Sequence, residues 1–172
     1  MIKGNYTYDI LHEIGKGGMG AVFKVHIREL DCCAALKRVE KSGGKKTIRN
    51  LSFEKEIQIL KILNYSGIPA YIDSFEDTQA QYLAMEYIDG CTLSDVFQKK
   101  QISSWRIRNW MKQSLRILRY LHEQKPCAIL YLDLKPQNLM ISKGHIYLID
   151  FGSACYENEG EFAWTATPRI CS

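Results

Sequence analysis

Apolar side chains follow two rhythms here, and the rhythm changes near residue 45 and again near residue 89. The first forty residues suit extended backbone. Tyr8, Ile10 and Ile14 lead into a glycine cluster, Val22, Phe23, Val25 and Ile27 leave it, and residues 33–39 form a third β-rich run. Ser42-Gly43-Gly44 breaks the pattern. Ile48, Leu51, Glu56, Ile57, Leu60 and Leu63 then recur at helical spacing, which predicts an amphipathic helix over 46–63 with these positions on one face. Residues 71–75 and 81–87 return to strand character, completing a small lobe of five strands and one helix. Asp89-Gly90 marks a turn and the boundary to a second lobe.

Past that turn, Thr92 and Asp95 have the spacing of a capping pair for a short helix ending at Lys99-Lys100. A longer helix is predicted over 104–123, with Ile107, Trp110, Met111, Leu118 and Leu121 on one side. After Pro126 come a short apolar strand, a polar loop, and strands over 139–142 and 145–149 joined at Lys143-Gly144. Residues 153–172 have no clear period and read as a loop.

Composition narrows the class. The chain has 172 residues, 46% of them hydrophobic and 24% charged, enough for one domain with a sizeable core. The net charge of +4 is spread along the chain. The densest basic cluster, Lys41, Lys45, Lys46 and Arg49, is broken by glycine and serine, so it reads as a solvated loop and not a nucleic-acid surface. The six cysteines form no Cys-x-x-Cys and have no histidine at zinc-finger spacing, which suits reduced thiols in a cytosolic protein. Residues 1–7 lack the apolar run of a signal, and no apolar stretch is long enough to span a membrane.

Three short segments bear chemistry. Gly15-Lys16-Gly17-Gly18-Met19-Gly20 matches Gly-x-Gly-x-x-Gly, and Glu40 stands where a dinucleotide site would place its acidic ribose contact. That reading needs a helix after the glycines, and residues 22–27 have a strand pattern instead. A Walker loop needs Lys and Ser or Thr after the last glycine, where Ala21-Val22 stands. A strand, glycine loop and strand folded over nucleotide phosphates fits what is written, since glycine lets main chain approach phosphate. Lys37 follows in Ala34-Ala35-Leu36-Lys37, a cation among apolar neighbours that is costly to bury unless it meets anions. Far downstream lie Tyr131-Leu132-Asp133-Leu134-Lys135-Pro136-Gln137-Asn138 and, twelve residues past Asn138, Asp150-Phe151-Gly152.

In order and spacing these segments resemble the protein kinase catalytic domain. The resemblance implies an α+β two-lobe fold, with a five-stranded N-lobe and one helix over 8–88 after a lead of residues 1–7. An incomplete helical C-lobe would follow over 89–172. It implies an ATP-dependent serine/threonine kinase: Lys135, two residues after Asp133, goes with Ser/Thr acceptors, and the surrounding stretch looks like small bacterial serine/threonine kinases. Lys37 would pair with Glu56 and face the α- and β-phosphates, with Glu54 turned to solvent. Asp133 would orient or accept the substrate hydroxyl proton, and Lys135 would steady the γ-phosphate. Asn138 and Asp150 would bind Mg²⁺. Ile14, Gly15, Lys16, Gly17, Gly20 and Val22 would cover the nucleotide with Ala35. Met85, Glu86, Tyr87 and Ile88 would form the adenine hinge, and Met140 the floor.

The sequence departs from that pattern at two positions of the catalytic loop and again after Pro168. Leu132 replaces an arginine and cannot clamp a phosphate, so activity should not depend through it on phosphorylation of Thr165 or Thr167. Tyr131 replaces a histidine but can still stack on Phe151. Thr165-Ala166-Thr167-Pro168 resembles the start of the peptide-receiving segment, yet Ala-Pro-Glu and the later helices do not follow before Ser172. The expectation is a truncated gene product whose helix over 104–123 exposes apolar surface. An inert ATP-binding or scaffold module is the alternative to an active kinase. A dinucleotide-dependent oxidoreductase is disfavoured by the strand after the glycines. Expected partners are ATP, Mg²⁺ and Ser/Thr protein substrates, with no nucleic acid or membrane.

Overall fold

The computed structural model describes residues 1–17, 20–41, 47–99 and 102–162. Gly18 and Met19, the basic and glycine positions of 42–46, and Thr165 and Thr167 lie outside them.

The period-two stretches become an antiparallel sheet of β1 (Ile2–Lys3), β2 (Thr7–Gly17), β3 (Gly20–Ile27), β4 (Cys32–Glu40), β5 (Tyr71–Glu76) and β6 (Ala80–Glu86), in spatial order β1-β2-β3-β4-β6-β5. Five strands were expected and six pair, because the lead folds back on the sheet: Ile2 faces Tyr8 and Lys3 faces Thr7. The buried carboxylate of Asp73 draws the lead in, accepting from the Asn5 amide N–H, Asn5 Nδ2, the Tyr8 hydroxyl and the Ser74 amide N–H. Tyr8, Phe75 and Tyr82 stack beneath it at centroid distances of 5.4 and 4.8 Å.

Alternation along the strands sends neighbouring residues to opposite faces. Ala34 and Leu36 join Tyr8, Val25, Tyr82 and Ala84 in one core. Ala35 and Val39 join Leu83 and Met85 in the other, which continues into the rest of the chain. Lys37 lies between Ala35 and Val39, so the strand itself aims its side chain into this second core.

That face is covered by α1 (Ile48–Ile62). The helix starts two residues later than 46 because Thr47 caps it, accepting from the Asn50 amide N–H while Asn50 Oδ1 bonds back to Thr47. Its phase also differs from the periodic reading. Asn50, Phe53, Glu56, Ile59 and Leu60 are buried, whereas Ile48 is 85% exposed and Leu51 half exposed. Apolar residues lie on several sides of this helix, so spacing alone could not choose its rotation. Buried Asn50 fixes it by donating to the Glu40 carbonyl and Gln81 Oε1. Glu54, expected in solvent, is half-buried and accepts from Gln81 Nε2.

Beyond β7 (Cys91–Thr92), α2 (Leu93–Lys99) carries the expected reciprocal Thr92–Asp95 cap. The long helix α3 is Ser104–His122. It buries Trp110, Ser114, Ile117 and Leu121 but leaves Ile107 and Met111, expected on the inner side, exposed with Leu115. An apolar stripe on this helix was anticipated, and these residues form it. Strands β8 (Ile129–Leu130), β9 (Leu139–Ser142) and β10 (His145–Leu148) follow. The stretch read as a loop after Ser153 contains β11 (Cys155–Tyr156), paired with β8, and a 3₁₀ segment, Glu157–Phe162. No helix among the described residues is long and apolar enough to cross a membrane.

The connection from α1 to β5 ties the sheet to the remainder. The Asn64 amide donates to the Tyr120 hydroxyl, Tyr65 stacks on Tyr120 at 4.4 Å, and Gly67 C=O accepts from the Leu148 amide at 2.7 Å. Gly67 has φ +97°, and a Cβ there would lie 2.8 Å from both Ile117 and the Ile146 carbonyl, so the close approach requires glycine.

Candidate active site

Two charged groups meet below the β4 face. Lys37 Nζ donates to Glu56 Oε1 at 2.8 Å, to Glu56 Oε2 at 2.7 Å and to Asp150 Oδ1 at 2.8 Å. The lysine and glutamate side chains are almost fully buried, while the Asp150 side chain is 42% exposed. Burial opposes the charge on Lys37, but Glu56 and Asp150 outweigh it and hold the ammonium above its ordinary pKa. Burial likewise works against Asp150, and Lys37 overcomes it, leaving that carboxyl below its ordinary value. Glu56 goes the other way: its burial outweighs the pull of Lys37 and pushes its pKa up.

The second group is the loop after β8. Asp133 Oδ2 accepts from Lys135 Nζ at 2.6 Å and from Asn138 Nδ2 at 2.9 Å, and Asn138 Nδ2 also reaches the Asp133 carbonyl. The Ile149 amide donates to the Asn138 carbonyl at 2.9 Å, locking this loop to the chain that delivers Asp150. Tyr131 sits beneath both, its ring edge-on to Phe151 at 5.3 Å and its hydroxyl donating to the Ile149 carbonyl. The expected stacking of Tyr131 on Phe151 is therefore present as a T-shaped contact.

Backbone strain is concentrated here. Leu132 has φ +62° and Asp150 φ +61°, whereas the other non-glycine residues with positive φ among the described ones, Asp31 and Lys143, lie in turns between strands. The Asp133 amide donates to the Tyr131 carbonyl across Leu132, a γ-turn of the rare positive-φ kind. It turns Asp133 away from the apolar run that ends at buried Tyr131.

Together the two groups hold three carboxylates (Glu56, Asp133, Asp150) against two ammonium groups (Lys37, Lys135), an excess of one negative charge. Asp150 Oδ2, Asn138 Oδ1 and Asp133 Oδ1 make no hydrogen bond to a described residue, so hard oxygen donors remain in both groups. No cluster of three or more His, Cys, Asp or Glu side chains suited to a metal occurs among the described residues. That donor set does not cage a cation by itself. It fits Mg²⁺ that keeps waters and takes further oxygens from a phosphate.

The remaining predicted positions fall as follows. Gly15, Lys16 and Gly17 close β2 opposite Val22, Ala21 and Gly20. Ile14 is half exposed, and Val22 packs against the core that contains Ala35 and Met85. A Cβ on Gly17 would meet nothing within 4 Å and one on Gly15 only Val22 at 4.0 Å, so the protein's own packing does not demand glycine at either. Gly20 differs. With φ +136° and the Arg38 carbonyl 2.2 Å from a would-be Cβ, its reason lies within the sheet. Met85 and Ile88 are buried, Met140 half-buried, and Tyr87 lies under Lys24 Nζ at 4.1 Å. The Glu86 amide is committed to the Ala70 carbonyl at 2.8 Å and cannot serve a ligand, which narrows the hinge reading to other main-chain groups. A surface recess lined in part by Leu63, Tyr65, Gly67, Glu86 and Tyr147 contains none of the charged cluster.

Sequence reasoning missed Asn50 and Asp73. Thr-x-x-Asn at 47–50 was a legible capping signal, but nothing local announces the partners of Asp73.

The protein kinase domain family matches the chain over residues 8–169. Similar curated proteins include a probable serine/threonine-protein kinase, YbdM, of Bacillus subtilis, 30% identical over 87% of this chain and 58% of that protein. A probable serine/threonine-protein kinase of Dictyostelium discoideum is 34% identical over 94% of this chain and 36% of its own length. The serine/threonine-protein kinase STE20 of Candida glabrata is 32% identical over 92% of this chain and 17% of its own. The chain thus spans under two thirds of each relative. With a bacterium, an amoeba and a yeast all at 30–34% identity, these similarities do not single out a branch.

Proposed function

The chain belongs to the protein kinase domain family, and from that premise we propose that it transfers the terminal phosphate of ATP to serine or threonine hydroxyls of proteins. The observation that carries the reading is the Lys37 ammonium held between Glu56 and Asp150. It puts a buried cation beside a partly open carboxylate, which suits a triphosphate with its metal.

In this reading Glu56 holds Lys37 in place, and Lys37 faces the α- and β-phosphates. Asn138 and Asp150 hold Mg²⁺, which when bound neutralises phosphate charge. Asp133, oriented by Lys135 and Asn138, accepts the hydroxyl proton as the acceptor oxygen bonds to the γ-phosphorus and the bond to the departing ADP oxygen breaks. Lys135 offsets the charge on the transferred group. Gly15 and Gly17 leave room for main chain over the phosphates. Ala35, Val22 and Met140 bracket the base, with Met85 behind it and main-chain groups from Glu86 to Ile88, other than the committed Glu86 amide N–H, at its edge. The proposed division is an N-lobe over 8–88 and a C-lobe portion over 89–172.

Phosphate transfer from radiolabelled ATP to a generic basic protein tests this. Parent chain should label the acceptor on serine or threonine, and Asp133→Asn should lower the rate about a hundredfold or more. Binding of Mg²⁺-ATP without any transfer by the parent would replace the reading with an inert nucleotide-binding module.

A further inference from the structure

Glu56 is not the only charged residue on α1 that reaches across to another segment. Its neighbour Lys55, about 100° further round the helix, places Nζ 2.9 Å from Glu159 Oε2. Glu159 lies in the 3₁₀ segment that follows Asp150-Phe151-Gly152. That segment is anchored on its other side. The Ala154 amide closes a turn onto the Phe151 carbonyl, Cys155 and Tyr156 pair with Leu130 and Ile129, and the Glu157 amide bonds the Ala128 carbonyl at 2.9 Å. Cys155 is buried beside the pair, within reach of the charges of Lys55 and Glu159.

We infer that Lys55 and Glu159 are positioning residues, whose ion pair ties α1 to the segment after Gly152 and so holds Glu56 against Lys37. Two adjacent helix residues engaged in different directions set both rotation and distance. A turn or outward shift of α1 that parts Glu56 from Lys37 must also stretch Lys55 from Glu159. Glu159 is carried by main chain hydrogen-bonded to β8, which leads into the Asp133 loop. The link therefore runs from the catalytic-loop side of the site to the helix that sets the lysine. Its consequence for nucleotide binding rests on the function proposed above. Both side chains are partly exposed, so the effect should be modest and screened by salt.

The test uses the full chain as Lys55→Glu, Glu159→Lys and the double exchange, with Lys37→Met as the reference for a lost site. Affinity for Mg²⁺-ATP, amide hydrogen exchange over 48–62 and the denaturation midpoint are measured for each. Each single reversal should weaken Mg²⁺-ATP binding about two- to fivefold at low salt and speed exchange over 48–62, and the double exchange should restore both. Singles that match the parent, singles that move only the midpoint, or a double no better than the singles would each overturn the inference. If the parent itself binds no Mg²⁺-ATP, the functional reading falls, and the exchange data alone decide whether the link exists.

Discussion

A lysine ammonium has three N–H donors, and Lys37 gives two to Glu56 and one to Asp150. A phosphate oxygen can reach Lys37 only by displacing one of these bonds. The Asp150 bond is the accessible one, since the Glu56 side chain is 1% exposed. Glu56 therefore acts as the fixed support and Asp150 as the exchangeable partner. Taking the cation away leaves Glu56 buried and uncompensated, so Lys37→Met should cost about 3 kcal/mol of stability. Adding Glu56→Leu should recover most of that loss without recovering ATP binding, because two apolar side chains replace a buried pair. Urea denaturation of the single and double variants measures this, and a double variant no more stable than Lys37→Met would contradict it. Lys37 stood out in the sequence as a cation amid apolar neighbours, and Glu56, Asp133 and Asp150 stood out through the resemblance to the protein kinase domain. Asn50 and Asp73 did not, since a buried polar residue is explained only by its partners. For Asn50 and Gln81 these lie 31 positions apart, and for Tyr8 and Asp73 they lie 65 apart.

Strands were readable element by element because a period of two assigns each residue to a face, and the structure keeps that assignment for Ala34 to Val39. Helix α1 was readable as a helix but not in rotation, because its orientation comes from Asn50, Glu56 and Lys55 and not from an apolar stripe. The glycine loop shows a similar division. Gly20 is fixed by strand geometry, whereas Gly17 has open space where a side chain would stand. Gly20→Ala should therefore lower stability by about 2 kcal/mol through its strained φ and the nearby Arg38 carbonyl. Gly17→Ala should leave stability within about 0.5 kcal/mol and weaken ATP binding instead. Thermal denaturation beside an ATP titration separates the two, and the opposite ordering would contradict the division. For β11 and the 3₁₀ segment that carries Glu159, neither strand nor helix period is long enough to be seen in sequence.

Across the chain, three junctions hold the site in register. The lead closes one face of the sheet through Asp73, residues 64–68 bind α1 to α3 and β10, and the Ile149–Asn138 bond joins the Asp133 loop to Asp150. Helix α3 presents Ile107, Met111 and Leu115 outward, an apolar stripe that the described residues do not cover. The first and third junctions were invisible in sequence, since each depends on groups brought together only by the completed fold. They bring Lys37 Nζ and Asp150 Oδ1 to 2.8 Å, and in the function proposed above these two side chains serve one triphosphate. The most direct measurement is the ATP affinity of the parent and of Asp150→Asn, each with and without Mg²⁺. Mg²⁺ should tighten ATP binding to the parent by about tenfold or more, because the cation engages Asp150 and frees Lys37 for phosphate. In Asp150→Asn that gain should largely vanish, while Mg²⁺-free ATP binds at least as well as to the parent. The same Mg²⁺ gain in both proteins would contradict a site shared by these two side chains.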